Sequence, residues 1–204
     1  MWKKIVYLTL ILMIPSCGKK IKCPGFPETY LIWMPYLQGE EFSLTDGIDA
    51  FQFSVTYIYI PRAGTITKLW PMDLGSDCDD YAECTITSPK HVYSQIRIQG
   101  LSEEKYARFS MSFETPYYSE KGQFFGFQHN IDNNVDTIFA TKPYQHVERL
   151  SSFDNGYKIY DDVLKFELDT LLSNEQIYQI YYAKNIGFIQ IKDRFNHKTW
   201  SLIE

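Results

Sequence analysis

Residues 51–60 read FQFSVTYIYI, with Phe51, Phe53, Val55, Tyr57 and Tyr59 on one side and Gln52, Ser54 and Thr56 on the other. Successive side chains of an extended strand point to opposite faces, so this spacing builds a ribbon buried on one side and wet on the other. Ile58 and Ile60 then make its end apolar on both sides. YARFSMSFET (106–115) repeats the period, with Ala107, Phe109, Met111 and Phe113 against Arg108, Ser110, Ser112 and Glu114. VYSQIRIQG (92–100) sets Val92, Ile96 and Ile98 against Gln95, Arg97 and Gln99. One-sided strands of this kind belong to antiparallel sheets.

Further strands are expected at Tyr30–Met34, Thr65–Leu69, Gln123–Gln128, Val135–Thr141, Tyr144–Leu150, Val163–Leu168, Gln176–Ala183, Gly187–Lys192 and Thr199–Leu202. Asp46-Gly47, Asp132-Asn133-Asn134, Asp154-Asn155-Gly156 and Asn196-His197 separate them as turns. No window carries an amphipathic helix of three turns. The fold class is all-β and mainly antiparallel: a β-sandwich or a partly open barrel of roughly nine to twelve strands, with at most one or two short helices, around 145–153 or 170–176. The 16 Tyr and 14 Phe suit strands.

The start of the chain follows a different rule. Lys3 and Lys4 precede an apolar-to-neutral run, Ile5–Ile14. As a helix that run spans about 15 Å, half of a hydrocarbon core of about 30 Å, which fits a secretory signal and not a membrane span. Ile14-Pro15-Ser16-Cys17 resembles the lipobox of bacterial lipoproteins, although Pro15 is an unusual occupant. The resemblance implies cleavage before Cys17, three acyl chains on that cysteine and stable anchoring, since a single chain binds only marginally. Residues 1–16 are then a signal peptide, 17–29 (CGKKIKCPGFPET) a lipidated tether, and 30–204 a single β-rich domain. Gly18 does not resemble the aspartate of inner-membrane retention, and nothing after Cys17 resembles the acidic run of a surface-export signal, so the resemblance implies the outer membrane and its periplasmic face. Lys19, Lys20 and Lys22 would lie beside the headgroups, each worth about 1 kcal/mol on an anionic leaflet.

The whole chain carries a formal charge of −5, and removal of 1–16 takes away two lysines more. An acidic balance without a basic stripe argues against a nucleic-acid partner. With Cys17 acylated, Cys23, Cys78 and Cys84 remain, in an oxidising compartment. Cys78 and Cys84 bracket DDYAE, and so short a loop closes readily, for roughly 2 kcal/mol in the loop-entropy model. That pairing is the expected one. A bond from Cys23 to either of them, stapling the tether to the domain, is the competing one.

Chemistry is harder to find. Asp77, Asp79, Asp80 and Glu83 gather on one stretch, and Asp132, Asn134 and Asp136 alternate as a calcium loop begins. The second lacks the glycine and glutamate such a loop needs, with Thr137 and Pro143 in those places, and a solvated loop and a hairpin turn account for the two. His91, His129, His146 and His197 share no ligand spacing, and the cysteines lack the paired spacing of a zinc site. There is no G-x-S-x-G, H-E-x-x-H or P-loop sequence. Asp161 and Asp162, if extended, point to opposite faces. No catalytic residue, metal or cofactor is assigned. Tyr117 and Tyr118 are the weak candidates for ligand contact, as aromatics able to stack on a sugar, with sheet packing as the alternative.

Three stretches carry a resemblance. WMPYLQGEEFSL (33–44), GYKIYDDVLKFEL (156–168) and IYYAKNIGFIQIKDRFNHKTWSL (180–202) are similar to segments of uncharacterised Gram-negative outer-membrane lipoproteins, the last of them to a closing Y-Y-x-K-x-x-G hairpin that ends in T-W-x-L. It implies a β-rich fold and an envelope address, and it transfers no catalytic residue. Read by themselves, Gly187 supplies a turn's positive φ and Trp200 a core aromatic. The function expected is a membrane-anchored scaffold or protein-interaction domain meeting another envelope protein. The alternative is a lipid- or glycan-binding lipoprotein, and the third reading a hydrolase whose site is scattered across strands.

Overall fold

The computed structural model describes residues 19–68, 78, 80–88, 93–101, 106–115, 123–130, 135–137, 145–169 and 177–203. It divides into two compact units, residues 1–25 with 62–79, and residues 26–61 with 80–204.

The first unit contains a two-stranded antiparallel ribbon, β1 (Lys19–Cys23) with β4 (Gly64–Lys68). Ile21 stands opposite Ile66, and Lys22 opposite Thr65. Gly25 has φ +80, and a Cβ there would lie 2.7 Å from the Ala63 nitrogen, so glycine alone fits this approach. A disulfide joins Cys23 to Cys78. This corrects the expected Cys78–Cys84 bond. Cys84 lies in the second unit on β5 (Tyr81–Thr87), a strand missed in the sequence, where it faces inward between Ala82 and Ile86 and is fully buried. Strand pairing turns its sulfur into the core, and that decides against the shorter loop.

Among the described residues the second unit is a single antiparallel sheet of twelve strands. These are β2 (Glu41–Thr45), β3 (Ala50–Tyr59), β5, β6 (Tyr93–Leu101), β7 (Tyr106–Thr115), β8 (Gln123–Asn130), β9 (Val135–Thr137), β10 (Gln145–Asp154), β11 (Ile159–Leu168), β12 (Ile177–Ala183), β13 (Gly187–Asp193) and β14 (Lys198–Leu202). Sequential strands pair from β2 to β9, with β4 left out, and again from β10 to β14. The last strand then pairs with the first, Ser201 with Thr45 and Leu202 with Leu44. The result is an up-and-down barrel open along one seam, between β9 and β10, whose Cα atoms nevertheless approach within 8 Å.

A round barrel of this many strands would be too wide for its own side chains to fill. Here the walls touch instead. Phe109 of β7 packs 5.9 Å from Phe166 of β11 and 5.2 Å from Tyr182 of β12, across the interior. The segment before β2 supplies the rest. Its single helical turn, α1 (Glu28–Leu31), leads to Trp33, Met34 and Tyr36, all buried in the same core. The strand expected at Tyr30–Met34 is therefore this turn: Pro27 sets its entry at φ −64, and Trp33 and Met34 donate to the Tyr30 and Leu31 carbonyls. Residues 145–153, one of the two candidate helices, form strand β10.

Alternation breaks where the backbone bulges. The β3–β5 register slips between Val55 and Tyr57, which leaves Tyr57 exposed and turns Ile58 onto the core. A second slip in the β12–β13 pair, between Tyr181 and Tyr182, places Phe188 in the core and Ile189 in a smaller cluster with Tyr160, Val163, Tyr181 and Ala183. The β10–β11 tip covers that cluster, and Phe153 stacks on Tyr181 at 3.7 Å.

Candidate functional site

Trp33, Asp162 and Lys184 come from the three stretches set apart in the sequence, and they meet around Arg149. Asp162 has φ +53, a conformation that aspartate tolerates better than most residues, at a step where the β10–β11 ladder is interrupted. The twist turns its carbonyl to accept from the Lys184 amide at 3.1 Å. Its carboxylate is gripped by Arg149, from Nε at 2.5 Å and Nη2 at 2.7 Å, and by Lys184 Nζ at 3.1 Å. Arg149 holds the Asp162 carboxyl below the ordinary aspartate range, against partial burial, and Lys184 adds to the effect.

Both cations also lie over the Trp33 indole, Arg149 at 5.4 Å and Lys184 at 5.9 Å from the ring centroid. Backbone contacts fix the segment that carries Trp33. The Tyr182 hydroxyl donates to the Trp33 carbonyl at 2.8 Å, and the Asn185 amide donates to the Ile32 carbonyl at 2.7 Å. The Phe188 amide donates to the Tyr36 hydroxyl at 2.8 Å. Burial raises the pKa of both Tyr36 and Tyr182 well above the usual phenol value, so each stays a neutral hydroxyl. Gly187 has φ +95, and a Cβ there would overlap the Tyr36 ring and hydroxyl.

Beside this cluster runs an open cleft of about 470 Å³ lined by Arg149, Leu150, Ser151, Asp161 and Asp162. Asp161 is exposed while Asp162 is half-buried and tied to Arg149, so the adjacent carboxylates of this cleft sit in different surroundings. Two cations face one carboxylate here, and the arrangement locks the Trp33 segment to the β11 and β12–β13 wall. A second cleft, of about 510 Å³, lies at the β13–β14 turn between Tyr178, Asp193, Arg194, His197, Lys198 and Thr199. Lys198 there bonds Asp46 and Asp49 of the β2–β3 turn, both at 2.7 Å.

Of the residues singled out by sequence, Cys17, Tyr117 and Tyr118 lie outside the described residues, as do Asp77, Asp79, Asp132, Asn134 and His91. Trp200 is buried against Phe51, with ring centroids 5.5 Å apart. Among the described residues no three His, Cys, Asp or Glu side chains gather as metal ligands. Arg149 and Asn155 were missed. Asn155 was read only as a turn residue, yet it is buried: its amide nitrogen donates to the Ile189 and Leu202 carbonyls at 3.3 and 2.9 Å, and its carbonyl accepts from Gln190 and Ser201. No family model, curated protein or solved structure matches the chain.

Proposed function

We propose that this chain is an envelope lipoprotein, held on the outer membrane by acyl groups on Cys17, that acts there as a non-catalytic scaffold contacting another envelope protein. The observation that supports the contact role is the close aromatic packing of the interior among the described residues. Phe42, Phe53, Tyr182 and Phe188 lie ring on ring at 5.0 to 6.4 Å, and Phe109 and Trp33 close the far side.

Apolar surface is exposed at the β10–β11 tip. Tyr157 and Ile159 are 55% and 66% exposed, and Ile203, 50% exposed, follows the Leu202 whose carbonyl Asn155 holds. Photocrosslinking from position 159 in intact cells tests this. A single envelope protein captured there, and not from position 57 on β3, supports the scaffold. Equal or absent capture at both positions sinks it. A second reading, glycan binding, draws on the polar cleft at His197 and Lys198. A glycan array screened with the wild-type protein and with Thr199→Ala decides that one.

A further inference from the structure

We propose that the β1–β4 ribbon lies flat on the membrane and binds anionic phospholipid headgroups through one fixed face, formed by Lys20, Lys22 and Thr65. The inference rests on the reading of Cys17 as the acylated residue and adds what the ribbon does beside it. Residues 19–23 are strand and not loose tether, and they begin two residues after Cys17. Alternation along β1 sends Lys20 and Lys22 to one face, where both are exposed, and pairing sets exposed Thr65 beside Lys22. Ile21 and Ile66, half-buried, share the other face.

Within its own unit that face is held. Cys23 at the end of β1 is bonded to Cys78, and Gly25 passes so close to Ala63 that the ribbon's base is fixed. Charge favours the same partner. The chain is acidic overall, at −5, but this unit brings Lys19, Lys20, Lys22, Arg62 and Lys68 together in the sequence against Asp73, Asp77 and Asp79. Cations are thus concentrated beside the acylation site of an otherwise acidic chain, where an anionic leaflet attracts them.

Distance separates the two orientations. Extended chain places Lys20 within about 10 Å of Cys17 and Lys22 within about 17 Å. On an upright ribbon Lys22 would lie beyond the Debye length, about 8 Å at physiological salt, and contribute little. Lying flat, both lysines reach the headgroups.

The test uses protein purified from membranes, its acylation state read by intact mass. Its partition is measured between vesicles of phosphatidylcholine and vesicles carrying about 30 mol% phosphatidylglycerol. Binding to the neutral vesicles reports the acyl anchor, and the ratio of anionic to neutral reports the ribbon. The expected result is a preference for anionic vesicles that disappears at about 0.5 M salt. Lys20→Gln and Lys22→Gln should each reduce it about fivefold. The Cys23→Ser/Cys78→Ser double variant, which keeps every charge, should reduce it too. A loss with Lys20→Gln but not Lys22→Gln overturns the flat ribbon, and an unchanged disulfide variant overturns the fixed face. No preference at low salt overturns the headgroup contact itself. Should the mass show no acyl groups, the anchor reading fails separately, and the anionic preference is read on the unacylated chain.

Discussion

Gly187 shows two demands converging on one atom that is not there. Its φ of +95 excludes most side chains, and the Tyr36 hydroxyl fills the space where a Cβ would stand. Gly47 has φ +90 with nothing nearby. Gly47→Ala should therefore cost about 1 kcal/mol, for backbone strain alone. Gly187→Ala should cost more than about 3 kcal/mol, because Tyr36 must also leave its bond to Phe188. Urea melts of the two variants compare them directly. The turn at Gly187 was readable from Asn185-Ile186-Gly187, but the tyrosine over it was not: Tyr36 and Gly187 are 151 residues apart, and no local pattern links them. Asp162 gives a pH signature. Its folded-state pKa lies below the unfolded value, so its contribution is present above about pH 4 and is lost as pH falls through the folded value. Asp162→Asn keeps a residue that accepts positive φ and removes the charge, so the variant should lose less stability between pH 5 and pH 3 than the parent does, measured from urea midpoints at about those two pH values. The Cys84 thiol is pushed up to about 12 by burial, with Glu40 and Glu83 adding to it. At about pH 8 iodoacetamide should leave it unmodified in the folded protein and alkylate it once urea has unfolded the chain. Alkylation of folded protein at the rate of a free thiol would contradict the inward-facing strand.

The strands with clean alternation, β6 and β7, were placed by sequence within one residue at each end, because a sheet with one buried face writes its period into the chain. β5 was missed for a physical reason. Ala82, Cys84 and Ile86 alternate with Tyr81, Glu83 and Thr85, but two cysteines and a run of carboxylates read as a disulfide loop, in which no period is looked for. The same error hid the loop actually closed. Cys23 and Cys78 are 55 residues apart, and the loop-entropy model gives such a bridge about 4 kcal/mol, against roughly 2 for the short loop expected. Reduction should therefore loosen the β1–β4 ribbon, and hydrogen exchange at Ile21 and Ile66 should accelerate by at least tenfold. The β10–β11 tip depends on Asn155 in the same way that the ribbon depends on its disulfide. Asn155→Ala would strip donors from the Ile189 and Leu202 carbonyls and acceptors from the Tyr157 and Lys158 amides. A cost of about 2 to 4 kcal/mol follows from those buried groups, together with faster exchange confined to the tip and β14.

At the level of the fold, composition and period delivered an antiparallel all-β chain and left the choice between sandwich and barrel open. The second unit explains the ambiguity: its strands follow barrel order, while opposite walls touch as in a sandwich, with Trp33 among them. Nothing in a local window reveals that an apolar run such as YLIWM will turn inward instead of extending. The seam between β9 and β10 and the closure of β14 on β2 are equally non-local. That closure has a consequence for biosynthesis. Glu41–Thr45 leave the ribosome well before Lys198–Leu202, so β2 waits without its second neighbour while the strands between them are made. Until then the aromatic interior stays open to water and to other nascent chains. A chain interrupted within β14 would keep nearly all of the sheet's strands and still never close, which makes β14 the point at which a holding chaperone should let go.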